Sequence, residues 1–165
     1  MYSEDEEKTM NIRRATENDI DRLLELLSQV LEVHVEIRPD IFLPNTTKYR
    51  EEELKTMVGD DNNPIYVIED EKQVLGYAFC QIKVSKTPHL LKRAKTFYID
   101  DLCIDEASRG KHLGETLFEY VKQEAKRLGC DEITLNCWAG NEPARRFYEK
   151  MGFKVRASIM ECPID

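Results

Sequence analysis

Apolar residues recur along this chain with two periods, and the places where one gives way to the other sketch its architecture. Residues 10–14, Met-Asn-Ile-Arg-Arg, alternate as a short strand does. Thr16-Glu17-Asn18-Asp19 then has the form of a capping box, in which two side chains satisfy each other's orphan amides at a helix start. Ile20, Leu23, Leu24, Leu27, Val30 and Leu31 follow at helical spacing and predict one buried stripe. Pro39 and Pro44 bracket an irregular stretch, and residues 49–57 read as a second, short helix. The turn cluster Asp60-Asp61-Asn62-Asn63-Pro64 opens a strand at 65–68. Asp70-Glu71-Lys72 separates that strand from a longer one at 74–84, so the pair reads as a hairpin.

Residues 85–94 form a basic loop around Pro88, and 96–104 are a strand rich in aromatic and branched residues. Leu113, Leu117, Val121, Ala125 and Leu128 share one helical face, which Gly129 ends as a C-cap. A strand at 133–137 comes next. A short helix follows, capped by Asn141 with Pro143 in its first turn, and Gly152 stops it. Residues 153–160 are expected as the last strand. The order β-α-α-β-β-β-α-β-α-β has no repeat and no second domain, and a central mixed sheet flanked by helices is its natural packing.

Bulk properties narrow the classes. A length of 165 residues suits one domain with a real core. The acidic start, residues 1–9, is expected to be a flexible tail. It lacks the basic and then apolar pattern of a signal peptide, and no apolar run is long enough to span a bilayer, so a cytoplasmic protein without membrane association is expected. A net charge of −8 disfavours nucleic-acid binding and suits a cationic partner, although a local basic patch is compatible with it. Cys80, Cys103, Cys130, Cys137 and Cys162 form no C-x-x-C pair. With His34, His89 and His112 scattered, neither a disulfide framework nor a metal site is expected.

Two segments carry chemistry. Residues 104–114, Ile-Asp-Glu-Ala-Ser-Arg-Gly-Lys-His-Leu-Gly, run from a strand straight into a helix. Such a turn gathers backbone N–H groups at the positive end of a helix, and Arg109 and Lys111 add charge, so the turn suits a pyrophosphate. Its glycines fit neither a Walker loop nor a G-x-G-x-x-G fingerprint. The second segment is Asn141-Glu142-Pro143-Ala144-Arg145-Arg146-Phe147-Tyr148-Glu149-Lys150-Met151-Gly152-Phe153. On its own it reads as a capped helix with a core tyrosine.

Together, these segments resemble the GCN5-related N-acetyltransferase (GNAT) superfamily. Arg109 to Gly114 follow Q/R-x-x-G-x-G/A, with His112 where the pattern has its first glycine. Asn141, Ala144, Phe147, Tyr148, Gly152 and Phe153 follow N-x-x-A-x-x-F-Y-x-x-x-G-F. A histidine tolerates left-handed backbone better than branched residues do, so the turn can still form. The resemblance covers residues 10–160 and implies an α/β (α+β) fold for one N-acetyltransferase domain, 10–165. That fold has a central mixed, mostly antiparallel sheet of six to seven strands, about four flanking helices and a splayed strand pair at the cofactor site.

The resemblance also implies acetyl-CoA as co-substrate and a primary amine as acceptor, most simply a small molecule. The backbone of Leu102, Cys103 and Ile104 would meet the pantetheine arm. Arg109, Gly110, Lys111, His112, Leu113 and Gly114 would hold the pyrophosphate, Asn141 would contact the cofactor or order nearby water, and Tyr148 would protonate the departing thiolate. Tyr98-Ile99-Asp100-Asp101-Leu102 is similar to the corresponding strand of polyamine and diamine acetyltransferases, which makes Asp100 the candidate base or amine-orienting group. By strict alternation Asp100 and Asp101 face opposite sides of the sheet, and a bulge would change which one faces the reaction. Acceptor contacts are expected from residues 33–42, with Glu36, Arg38 and Asp40, and from the loop around Pro88 and His89, with Trp138 as a wall or a core residue. A protein N-terminal or lysine acetyltransferase, and a non-catalytic CoA-binding module, stay open beside the small-molecule enzyme. A homodimer is compatible with all three.

Overall fold

The period-two segments assemble into one five-stranded sheet whose spatial order is the chain order: β1 (Asn11–Arg14), β2 (Ile65–Glu69), β3 (Val74–Val84), β4 (Lys95–Ile104) and β5 (Glu132–Leu135). The computed structural model describes residues 10–71 and 73–164, so the tail expected at 1–9 lies outside the described residues. Neighbouring strands pair antiparallel from β1 to β4, and β4 pairs β5 in parallel. The parallel step requires a crossover, which α3 (Leu113–Arg127) supplies.

Helices α1 (Ile20–Ile37) and α2 (Glu51–Met57) cover one face of the sheet. There Leu23, Leu26, Leu27 and Leu54 meet Val67, Tyr77 and Phe79 in a core with almost no solvent exposure. Each such side chain contributes roughly 1.5–3 kcal/mol by leaving water. Leu26 takes the fully buried place that helical spacing assigned to Leu24, which stays half-buried. On the other face α3 lays Leu117 and Val121 over Ile68, Ala78, Phe97 and Ile99, and α4 (Glu142–Lys150) adds Phe147. Among the described residues no helix is long and apolar enough to cross a membrane.

The sheet has five strands where six to seven were expected, because residues 153–160 form no strand. Among the described residues no backbone hydrogen bond ties this segment beyond Phe153. Val155, Ile159 and Met160 remain exposed. The segment is tethered by long side chains instead, Arg156 to Glu132 and Arg38 to Glu161. Apolar residues make a strand possible, but only a ladder partner makes one.

Candidate functional site

The turn between β4 and α3 is fastened from behind. Asp105 is buried and receives Arg22 of α1, the Gln29 amide at 3.2 Å and the Ala107 N–H at 3.2 Å. Burial works against its charge, but these donors win and hold the carboxyl below its ordinary range. Gln29 also accepts the Glu106 N–H at 3.1 Å, so one helix fixes both sides of the turn.

Beyond that anchor the backbone opens. Gly110 has φ +83° and His112 φ +59°, both in the left-handed region, and His112 caps α3. The first helical bond runs from the Thr116 N–H to the His112 carbonyl. Among the described residues, the backbone N–H groups from Gly110 to Glu115 have no hydrogen-bond partner. Six orphan donors at a helix N-terminus, with Arg109 and Lys111 exposed beside them, form a cradle suited to a polyphosphate. Gly114 serves packing: a Cβ there would stand 3.3 Å from the Phe147 ring, so its absence lets α4 close on this end of α3.

A left-handed conformation costs a side-chain-bearing residue roughly 1–2 kcal/mol, and glycine escapes that cost. His112→Gly is therefore expected to fold at least as well as the parent within about 1 kcal/mol, since added freedom in the unfolded chain offsets part of the gain. His112→Val is expected to lose about 2 kcal/mol, because a branched side chain fits that region worst. Urea unfolding of the two variants checks this, and a silent valine would mean that the turn has another backbone.

Strands β4 and β5 part company at the site. Their pairing runs only from Thr96 opposite Glu132 to Ile99 opposite Leu135, while β4 continues to Ile104. Leu102, Cys103 and Ile104 thus keep β3 as partner on one side and have no β5 partner on the other. This parted pair is the splay that the resemblance implied.

A bulge sits where the strands separate. The register of β3 against β4 slips at Phe79 and Cys80, which face Asp101 and Ile99 and leave Asp100 as the extra residue. Before it, Phe97 and Ile99 point toward α3; after it, Cys103 packs among the residues under α1. The alternation expected to send the two aspartates to opposite faces is therefore interrupted, and both lie on the α1–α2 side. Asp100 accepts the Tyr49 hydroxyl and the Lys48 ammonium, the latter at 3.0 Å, and Lys48 also reaches the Asp100 carbonyl at 3.3 Å. Asp101 accepts the Tyr77 hydroxyl at 3.1 Å. Desolvation, reinforced by Asp100, pushes the Asp101 carboxyl up to about 6, although Lys48 and the Tyr77 hydrogen bond pull the other way.

Tyr148 comes to the same cleft from α4, its ring edge-on to Phe147 and Phe153. Among the described residues its hydroxyl has no hydrogen-bond partner, and burial together with the Asp101 charge raises its pKa and keeps it protonated. Asn141 uses its side-chain oxygen to cap α4 through the Ala144 N–H at 3.4 Å. Cys103 is no nucleophile in this setting: burial pushes its thiol up to about 12.

Farther along α1, His34 stacks on Phe42 at 5.2 Å, and Phe42 meets Trp138 edge-on at 5.0 Å. Trp138 is thus part of an aromatic wall, partly exposed, and not a core residue. Arg38 turns to Asp40 and Glu161, Glu36 is exposed, and Pro88 and His89 lie exposed on the basic loop, so these residues do not gather at the carboxylates. Lys48, Tyr49 and Tyr77 do gather there. None of the three carries a sequence signal toward the aspartates, because the hairpin pairs the strand at 74–84 only with 65–68 and residues 49–57 read as a helix.

Known proteins match this arrangement. The model of the acetyltransferase (GNAT) family matches residues 27–153. Glucosamine 6-phosphate N-acetyltransferase of Arabidopsis thaliana is 32% identical over 116 residues, 70% of this chain and 74% of that protein. A probable glucosamine 6-phosphate N-acetyltransferase of Drosophila melanogaster is 27% identical over 89% of this chain, which spans 62% of that protein's length. The crystal structure of a mutant of the BH1408 protein from Bacillus halodurans superposes with a TM-score of 0.86 at 31% identity, over 93% of this chain and 99% of that one. The chain belongs to the acetyltransferase (GNAT) family and is an acetyl-transferring enzyme.

Proposed function

We propose that this enzyme moves the acetyl group of acetyl-CoA to the primary amine of a small molecule, with both held at once on β4. The observation that carries this reading is Lys48. Its ammonium rests on the Asp100 carboxylate and on the Asp100 carbonyl, so the open end of β4 already binds a primary ammonium group. An acceptor amine entering there would displace Lys48 and take over its two oxygen partners. The named relatives above act, by their names, on an amino sugar phosphate, which is itself a small primary amine.

Acetyl-CoA would supply the activated acetyl group. The amides from Gly110 to Glu115, with Arg109 and Lys111, would hold its pyrophosphate, and the unpaired side of β4 at Leu102, Cys103 and Ile104 would take its pantetheine arm. In this reading Asp100 orients the acceptor and Asp101 receives its proton. A carboxylate near 6 is a base about two decades stronger than an ordinary aspartate, whose pKa is about 3.9. Tyr148 returns a proton to the leaving thiolate. Since burial raises the phenol, that donation is uphill unless it is coupled to proton loss by the amine. Positioning by β4 and the α3 turn supplies much of the remaining rate gain.

The test is release of free thiol from acetyl-CoA against a panel of amino sugars, polyamines, amino acids and basic peptides. A small amine is expected to turn over, and Tyr148→Phe is expected to lower kcat on the order of a hundredfold with cofactor binding by calorimetry unchanged. Cofactor binding with no turnover of any amine would favour the non-catalytic module. Turnover confined to peptides would favour the protein acetyltransferase.

A further inference from the structure

The basic loop found in the sequence has no part in the site described so far, yet it borders a groove of about 630 Å³. That volume lies within the roughly 300–1,000 Å³ of small-molecule sites. Lys83, Lys92, Arg93 and Arg156 line it, together with Tyr98 and Asn136. One carboxylate, Glu132, opposes these four cations. It pairs with Arg93 at 3.4 Å and with Arg156, pinning two guanidinium groups from different segments to one wall. Lys83 lies over the Tyr98 ring with its nitrogen 3.7 Å from the centroid, and Asn136 donates to the Tyr98 hydroxyl at 3.2 Å. A local excess of positive charge in a chain of net charge −8 is a directed feature, and paired arginines with a lysine suit phosphate or carboxylate oxygens.

The groove is too far along the sheet to belong to the cofactor's phosphates. Thr96, on its floor, precedes Ile104 by eight residues, about 26 Å of strand, and the amide cradle lies beyond Ile104. It is close to the acceptor site, however. Tyr98 precedes Asp100 by two residues, about 7 Å, and Thr96 by four, about 13 Å. A molecule with its amine on Asp100 would extend its other end into the cations.

We infer that this groove binds an anionic group of the acceptor, a phosphate or a carboxylate, so that the preferred substrates are primary amines with an anion about 7–13 Å from the nitrogen. The inference rests on the acceptor site proposed above. Matched pairs test it: glucosamine against glucosamine 6-phosphate, and cadaverine against lysine, each by kcat/KM. The anion-bearing member of at least one pair is expected to win by about 30-fold or more, on the order of the 2 kcal/mol that a charged hydrogen bond supplies. The phosphate pair and the carboxylate pair between them identify the anion. Lys83→Gln and Arg93→Gln are each expected to cut that preference about tenfold, mainly through KM, with thermal unfolding checking that both variants are folded. Calorimetry with glucosamine 6-phosphate and with lysine gives a readout without turnover. Lys83-dependent binding of either compound in an enzyme that acetylates no amine would uphold the groove while overturning the transferase reading. Equal turnover within both pairs, or a preference that survives both substitutions, would overturn the groove.

Discussion

Asp101→Asn is expected to lower kcat/KM on the order of a thousandfold and, at the same time, to leave the protein at least as stable as the parent. The loss follows from removing the base, whose usual contribution is roughly 10²–10⁴. The gain follows from linkage. The folded-state pKa of Asp101 is about 6, above the unfolded value of about 3.9, so the folded protein holds this proton more tightly than the unfolded chain does. Ionisation therefore costs stability: nothing below about pH 4, more as pH rises toward 6, and a constant amount above. Two units correspond to about 3 kcal/mol as an upper figure, at about 1.36 kcal/mol per unit. At about pH 8 the asparagine avoids that cost while keeping the shape and a partner for the Tyr77 hydroxyl, so its melting temperature is expected to rise by a few degrees. The parent's kcat/KM should climb through about pH 6, and the variant should lack that limb. If Asp100→Asn removes the limb and Asp101→Asn keeps it, the two roles are reversed.

The second large effect is structural. Gly76 of β3 faces Ile104 of β4, and a Cβ there would lie 2.5 Å from Ile104 Cδ1 and 2.6 Å from the Cys103 carbonyl oxygen. A side-chain methyl can turn away, but a carbonyl inside a ladder cannot. Gly76→Ala must therefore push β3 from β4 at the far end of the parted stretch, beside the turn into α3. The expected outcome is a loss of about 3 kcal/mol in urea unfolding, the upper part of the range for overpacked cores, and a rise of about tenfold or more in the KM for acetyl-CoA. An alanine variant with parental stability and a parental KM would mean that the strands relax at no cost.

What could be read from the residues divides along physical lines. Local rules were enough where neighbours in sequence decide the structure. Examples are the stripe of α1, the β2–β3 hairpin, the Asn141 cap and the left-handed backbone at His112, which the glycine pattern around it pointed to. The fold followed from the two motifs together, through the resemblance they carry. The bulge at Asp100 was not legible, because period two presumes an unbroken ladder and the slip depends on how β3 packs. Lys48 and Tyr49 reach Asp100 across about fifty residues of chain from the edge of the segment read as the second helix, which begins only at Glu51, and no local rule reports a contact over that separation. Residues 153–160 show the converse, a strand-like composition with no partner to complete it.

The extra residue at Asp100 also bears on how this enzyme can vary over generations. Upstream of it the odd-numbered Phe97 and Ile99 pack on the α3 side, and downstream the odd-numbered Cys103 packs on the α1 side while Leu102 and Ile104 turn to α3, so the two halves are read in different frames. A substitution at Asp100 alters one side chain. The loss of a single codon there would leave Ile99 facing α3 and Asp101 and Cys103 facing α1, a regular ladder without the carboxylate that holds Lys48 and Tyr49. The position is an insertion that the ladder accommodates, whereas a codon lost from the paired stretches on either side would turn buried apolar side chains to the wrong face.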